Sequence, residues 1–260
     1  MKKQIVTACA LIASVAAFAT SVESSNTFGV LKVSASAGQT IIPVPWEAVG
    51  GGDIVVTNYV LTTGLTNDDL LYWYDASAGS YKVWKVADGK WATHDTTKIT
   101  ASDITPVASE LTQGFPRGGA AVLELSEAKT VYLSGQYIGT SVTTTVYGLS
   151  DGEKALYGGK KSKSTMIAPP KAKDYNLNSE VSFYSSYTSE DVKTDATSEK
   201  LVGDQILLNN GTSYYYGNTG SKDEWYKKTE SGKSAENITI PAGEGAWYLR
   251  KNDGNITLVW

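Results

Sequence analysis

The side chains able to do chemistry are few in this sequence, and they are scattered. One histidine, His94, stands beside Asp95, a pairing that could serve as a general base. No nucleophile with an oxyanion site accompanies it, so His94 reads as a turn residue without chemistry. Carboxylates come close together as Asp68-Asp69, as Asp151 with Glu153, and as Glu190-Asp191. Two carboxylates facing each other across a cleft can cleave a glycosidic bond. Adjacent residues on a strand point to opposite faces, however, so these pairs are expected to cap turns. The one cysteine, Cys9, falls inside an N-terminal apolar run, and no Asp-x-Asp-x-Asp-Gly loop occurs. Gly118-Gly119 and Gly243-x-Gly245 follow a proline and lead into a strand-like run, without the Lys-Ser/Thr and helix of a phosphate loop. They are expected to shape a turn or bulge. The reading is therefore non-enzymatic, with no catalytic set, no metal site and no cofactor.

Aromatic residues are the stronger functional signal. Tyr72, Trp73, Tyr74, Trp84 and Trp91 cluster in the first half, and Tyr214, Tyr215, Tyr216, Trp225 and Tyr226 in the second. Exposed rings on a sheet stack on sugars or anchor a protein partner. The competing expectation, an aromatic core in each half, takes most of them. The candidates for a ligand-binding platform are Tyr72, Trp73, Trp84, Trp91, Tyr214, Tyr216 and Trp225.

The elements that must position these residues read as short strands. Leu70–Asp75, Tyr81–Val86 in strict alternation, and Lys90-Trp91 after the Asp88-Gly89 turn make a meander. Ile54–Leu61 reads as a further β-branched strand. No segment sustains a 3.6-residue apolar period, and Ala101–Leu111 alone could hold a short helix. Phe115-Pro116-Arg117-Gly118-Gly119-Ala120-Ala121 has a second version in Ile240-Pro241-Ala242-Gly243-Glu244-Gly245-Ala246, with Pro116 and Pro241 separated by 125 residues. Thr40–Pro45 and Thr165–Pro170 keep the same spacing, as a duplicated unit would. The expected fold is all-β, with two tandem related β-sandwich or partly open barrel units of short antiparallel strands. They are placed at residues 20–140 and 165–260, joined by a linker over 141–164 that holds one strand-like run, Val142–Tyr147. Trp260 is expected to plug the core of the second unit.

The N-terminus reads as an export signal over residues 1–19, with Lys2 and Lys3, an apolar run, and the Ala17-Phe18-Ala19 cleavage site. That run is too short to span a membrane comfortably, and the strands are too short and interrupted for an outer-membrane barrel. The formal charge of −4 becomes −6 without the two lysines, which argues against nucleic acid as a partner. The function expected is that of an exported surface, extracellular or periplasmic protein acting through protein or self-assembly. A strand outside the repeat, carrying Phe28, Val30, Leu31 and Val33, is the candidate assembly element. Carbohydrate binding, with a polysaccharide as partner, is the alternative.

Overall fold

The computed structural model describes residues 27–94, 110–137, 139, 141–149, 162–183, 204–220, 222–229, 232–251 and 254–260. Residues 1–19, expected to form an export signal, and Asp95, Asp151, Glu153, Glu190 and Asp191 lie outside the described residues. In the first half the strands are β1 (Thr27–Ala35), β2 (Gly38–Pro43), β3 (Ile54–Val55), β4 (Val60–Leu61), β5 (Leu70–Asp75), β6 (Ser80–Ala87), β7 (Lys90–Thr93), β8 (Gly114–Phe115), β9 (Ala120–Leu125) and β10 (Lys129–Tyr137). In the second they are β11 (Thr143–Val146), β12 (Lys163–Ile167), β13 (Tyr175–Asn176), β14 (Ser182–Phe183), β15 (Gln205–Leu208), β16 (Ser213–Asn218), β17 (Asp223–Thr229), β18 (Gly232–Ser234), β19 (Thr239–Ile240), β20 (Ala246–Arg250) and β21 (Ile256–Val259). The chain is thus nearly all β, as its alternating apolar pattern predicts.

Each half holds a larger sheet, a three-stranded sheet and a two-stranded ladder, all antiparallel. The first half has β2-β9-β5-β6-β7, β1-β10-β4 and β3-β8; the second has β12-β20-β15-β16-β17-β18, β11-β21-β14 and β13-β19. Registers correspond as well. Ile41 faces Val122 in β2–β9, and Met166 faces Trp247 in β12–β20. Leu71 lies between Leu123 and Trp84, as Ile206 lies between Tyr248 and Tyr214. Thr143–Val146, inside the stretch expected to link the halves, pairs with β21 as β1 pairs with β10.

An apolar cluster in each half draws side chains from both of its main sheets. Ile42, Leu71, Trp84 and Leu123 meet Val33, Val131 and Leu133 in the first; Ile206, Tyr248, Trp225, Val146 and Leu258 meet in the second. One expectation changes here. The run Ile54–Leu61 is broken by a helical turn, α1 (Val56–Tyr59). Helical spacing sends both Val56 and Tyr59 inward, where an unbroken strand would split them between faces. The Tyr59 hydroxyl then donates to Pro43 O at 2.6 Å.

A buried aspartate locks each half at a matching place. Asp69 accepts from the Thr66 and Ser126 N–H groups at 2.8 and 3.2 Å and from Lys129 Nζ at 2.8 Å. Asp204 accepts from the Lys251 N–H at 2.8 Å, the Tyr248 hydroxyl at 2.8 Å and Arg250 Nη1 at 2.7 Å. Burial pushes both carboxyls up. At Asp69 the hydrogen bonds and charge of Lys129 and the two amides outweigh burial, leaving it below the usual range; at Asp204 burial prevails over Arg250.

The halves meet along a third cluster built from Ile41, Ala120, Val122, Met166 and Ala168. Backbone bonds stitch it: Ala168 N–H to Gly118 O at 2.9 Å and Gly245 N–H to Ile41 O at 3.1 Å. The glycines of the recurring motif sit in this junction. A methyl on Gly245 would stand 2.7 Å from both Ala120 Cβ and Ile41 Cγ2. Gly118 has φ +85 and would meet Thr144 Oγ1 at 2.6 Å. They shape turns, as expected, and they also let two backbones approach.

Candidate functional site

Alternation along β5, β6, β9 and β2 settles which side chains leave the first core. Tyr72 is opposite Val83 and Val122, Tyr74 is opposite Tyr81, and Gln39 is opposite Glu124. These residues share the face turned away from Leu71 and Trp84. Part of that face is sealed by Met166 and Ala168 of the second half, and the remainder opens as a groove of about 720 Å³ lined by Gln39, Tyr72, Tyr81, Val83, Leu207 and Trp247 among others. The groove exists because the two halves meet only along part of their sheets.

Its aromatic side runs from one half to the other. Tyr81 is 53% exposed. Its ring centroid is 4.9 Å from that of Tyr74, which in turn meets Trp247 edge-on at 5.6 Å. Tyr72 stands edge-on to Tyr81 at 6.4 Å. Polar groups gather at one end. Gln39 Nε2 donates to Glu124 Oε2 at 2.9 Å, and the Tyr72 hydroxyl also bonds Glu124. Burial, then that bond and the carboxylate charge, push the Tyr72 phenol up to about 12, so it stays a donor across the physiological range.

No protein-family model, no curated protein and no solved structure matches this chain.

The candidates chosen from sequence separate into three groups. Trp84, Trp91, Tyr214 and Trp225 are buried and present no ring face to a ligand. Trp91 Nε1 donates to Val60 O at 2.7 Å, the Tyr214 hydroxyl donates to Thr239 O at 3.0 Å, and Trp225 meets Tyr248 edge-on at 5.8 Å. Their alternation phase is the inward one, and the apolar residues on the opposite face made that phase ambiguous. Trp73 is half-buried against Phe115, and Tyr216 is half-buried against Trp225 and Phe183. Only Tyr72 belongs to the groove. Sequence reasoning had no route to Trp247, whose place depends on the junction, or to Gln39 and Glu124, which meet through the long-range β2–β9 pairing; Tyr81, in phase with Tyr72 across the hairpin, carried a usable signal.

His94 extends the β6–β7 pairing rather than sitting in a turn, and of Asp68-Asp69 only Asp69 caps a turn. The His94 N–H donates to Val83 O at 2.8 Å. Asp69 caps the Thr66 turn from inside, while Asp68 pairs outward with Lys85. Among the described residues there is no group of three or more His, Cys, Asp or Glu placed to hold a metal ion. No helix among them is long and apolar enough to cross a membrane.

The second exposed feature is β1. It is an edge strand, bonded to β10 along nine residue pairs. Its residues alternate: Phe28 is 60% and Val30 43% exposed, whereas Leu31 is half-buried and Val33 buried in the first core. Leu31 and Val33 are therefore withdrawn from the assembly set. Val49 joins the exposed pair. Phe28 faces Gln136, whose Oε1 accepts the Gly50 N–H at 2.8 Å, and this brings the neighbouring Val49, 77% exposed, to the same end of the sheet.

Proposed function

We propose that this chain is an exported, non-catalytic interaction protein of two related β-sandwich units that assembles with further copies of itself through the outer edge of β1. The carrying observation is that edge: nine residues long, with its second side unpaired among the described residues, and flanked by exposed Phe28, Val30 and Val49. A long apolar edge strand is a template for another strand. Antiparallel pairing of β1 with its own copy about a two-fold axis satisfies both edges at once and presents the same patch from each side. The matched registers in the two halves support a duplicated framework, and the N-terminal Lys2, Lys3 and Ala17-Phe18-Ala19 pattern supports export. A non-catalytic role is supported by the use made of Asp69 and Asp204, each spent on buried structural bonds.

Removing β1 is not a clean test, since Val33 and Ala35 belong to the core. Phe28→Glu with Val30→Lys alters the outer face alone. Light scattering on the mature chain over a concentration series should show a wild-type mass that rises with concentration and a doubly substituted chain that stays monomeric. A wild-type monomer at every concentration, or a substituted chain that assembles as before, overturns the reading.

A further inference from the structure

We infer that the groove between the halves is a binding site for a neutral oligosaccharide, gripped by Tyr81, Tyr72 and Trp247 and oriented by Gln39 and Glu124. The site is distinct from the β1 edge and does not depend on assembly.

Two properties of the groove select this ligand. It is amphipathic lengthwise, lined by the rings of Tyr72, Tyr81 and Trp247, the last two connected through Tyr74, with a polar end at Gln39 and the Tyr72 hydroxyl, both bonded to the adjoining Glu124. A pyranose ring has the matching form, an apolar C–H face edged by hydroxyls that need donors and acceptors. Glu124 uses Oε2 on Gln39 and receives the Tyr72 hydroxyl, yet a carboxylate has about four lone-pair sites, so it can still accept from sugar hydroxyls. A volume of about 720 Å³ lies in the usual range for small-molecule sites, and room remains for several rings because the groove is open.

The same geometry argues against other occupants. An extended peptide would bind by adding to the β2 edge. At the groove that edge is already closed: the Ile41 N–H donates to Asn209 Oδ1 at 2.7 Å, and Ile41 O accepts from Asn209 Nδ2 at 3.0 Å and from the Gly245 N–H at 3.1 Å. Recognition is left to side chains. An acidic glycan would bring its carboxylates or sulfates against Glu124 in a chain of net charge −4.

The test is calorimetric titration of the full mature chain with cellohexaose, maltohexaose and mannohexaose, with a uronic-acid hexamer as the charged control. At least one neutral hexamer should bind in the millimolar range or tighter, and the uronate should not. Tyr81→Ala and Gln39→Ala, both on exposed side chains, should each weaken binding about tenfold with an unchanged melting temperature. The Phe28→Glu, Val30→Lys chain should bind sugar as the wild type does, which separates this site from the assembly edge. The inference is overturned if all neutral hexamers fail, if the uronate binds better than they do, or if Tyr81→Ala leaves binding unchanged.

Discussion

Gly245→Ala tests whether the two halves are truly packed together. The glycine has no positive φ, so alanine introduces no backbone strain there. Away from close contacts this exchange stabilises a protein by about 0.4–1 kcal/mol, because the unfolded chain loses freedom. Here the new methyl would stand 2.7 Å from Ala120 Cβ and from Ile41 Cγ2, and 3.4 Å from Ile167 O. Carbon atoms prefer separations of about 3.5–4.0 Å, so the halves would have to part by roughly 1 Å. Two of the three obstacles are in the first half, and neither can swing aside: one is an alanine methyl, the other the γ-methyl of a buried isoleucine. Overpacking of this kind costs about 1–3 kcal/mol. The substitution should therefore destabilise by roughly that amount, lowering the thermal midpoint by about 2–4 °C for each kcal/mol at this chain length. The assay is paired urea and thermal unfolding followed by near-ultraviolet circular dichroism. An unchanged or raised midpoint would refute the packed junction, since the sign itself separates a close approach from open space.

Other expectations follow from the same contacts. Asp69→Asn should cost about 3 kcal/mol near neutral pH by leaving the buried Lys129 with only the exposed Glu127 carboxylate, 3.9 Å away, as counter-charge. Because the folded Asp69 carboxyl titrates below the usual range, its contribution is present above that range and fades as acid protonates it, so the deficit should shrink in urea melts at low pH. Asp204 titrates above its usual range, so the native chain gains stability from it on acidification and loses that gain as pH rises through the folded value; the deficit of Asp204→Asn should widen towards low pH, and parallel slopes for the two variants would sink the argument. Trp84→Ala should cost about 3–5 kcal/mol by denaturant unfolding, whereas Tyr81→Ala, three pairs away on the opposite phase, should change stability little. Asn209→Ala should weaken the junction by unpairing the Ile41 N–H, while Ile41 O keeps its bond from the Gly245 N–H, seen as faster exchange of the Ile41 amide.

Local rules carried much of the fold. The meander follows from alternation and from Asp88-Gly89, whose φ values of 50 and 71 suit a tight hairpin turn. The motif around Pro116 and Pro241 pointed to corresponding strands, and Thr143–Val146 completes the second three-stranded sheet from within the expected linker. Local rules failed where two answers were equally apolar. Ile54–Leu61 has strand composition, but Val56 and Tyr59 reach the same core only through a helical turn. Trp84 and Val83 are neighbours on opposite faces, and both are buried, one in the half's own core and the other beneath the groove. The groove was illegible because Tyr72 and Trp247 are brought together by a junction that depends on Gly245, a residue whose contribution is the side chain it lacks.

The position of β1 also constrains how the chain comes to be folded. Thr27 pairs with Tyr137 and Ala35 with Lys129, so the first strand made is among the last in its half to find a partner. β2 waits similarly for β9. A chain emerging from its N-terminus must carry Ile41 and Ile42 unpaired until Val122 and Ala121 have appeared, and Phe28 and Val30 until Gln136 and Ser134 have. Such long-range closure is slow. The local meander β5–β6–β7 can pair early, whereas both main sheets of the half wait for β9 and β10 before they close around strands that were made before them.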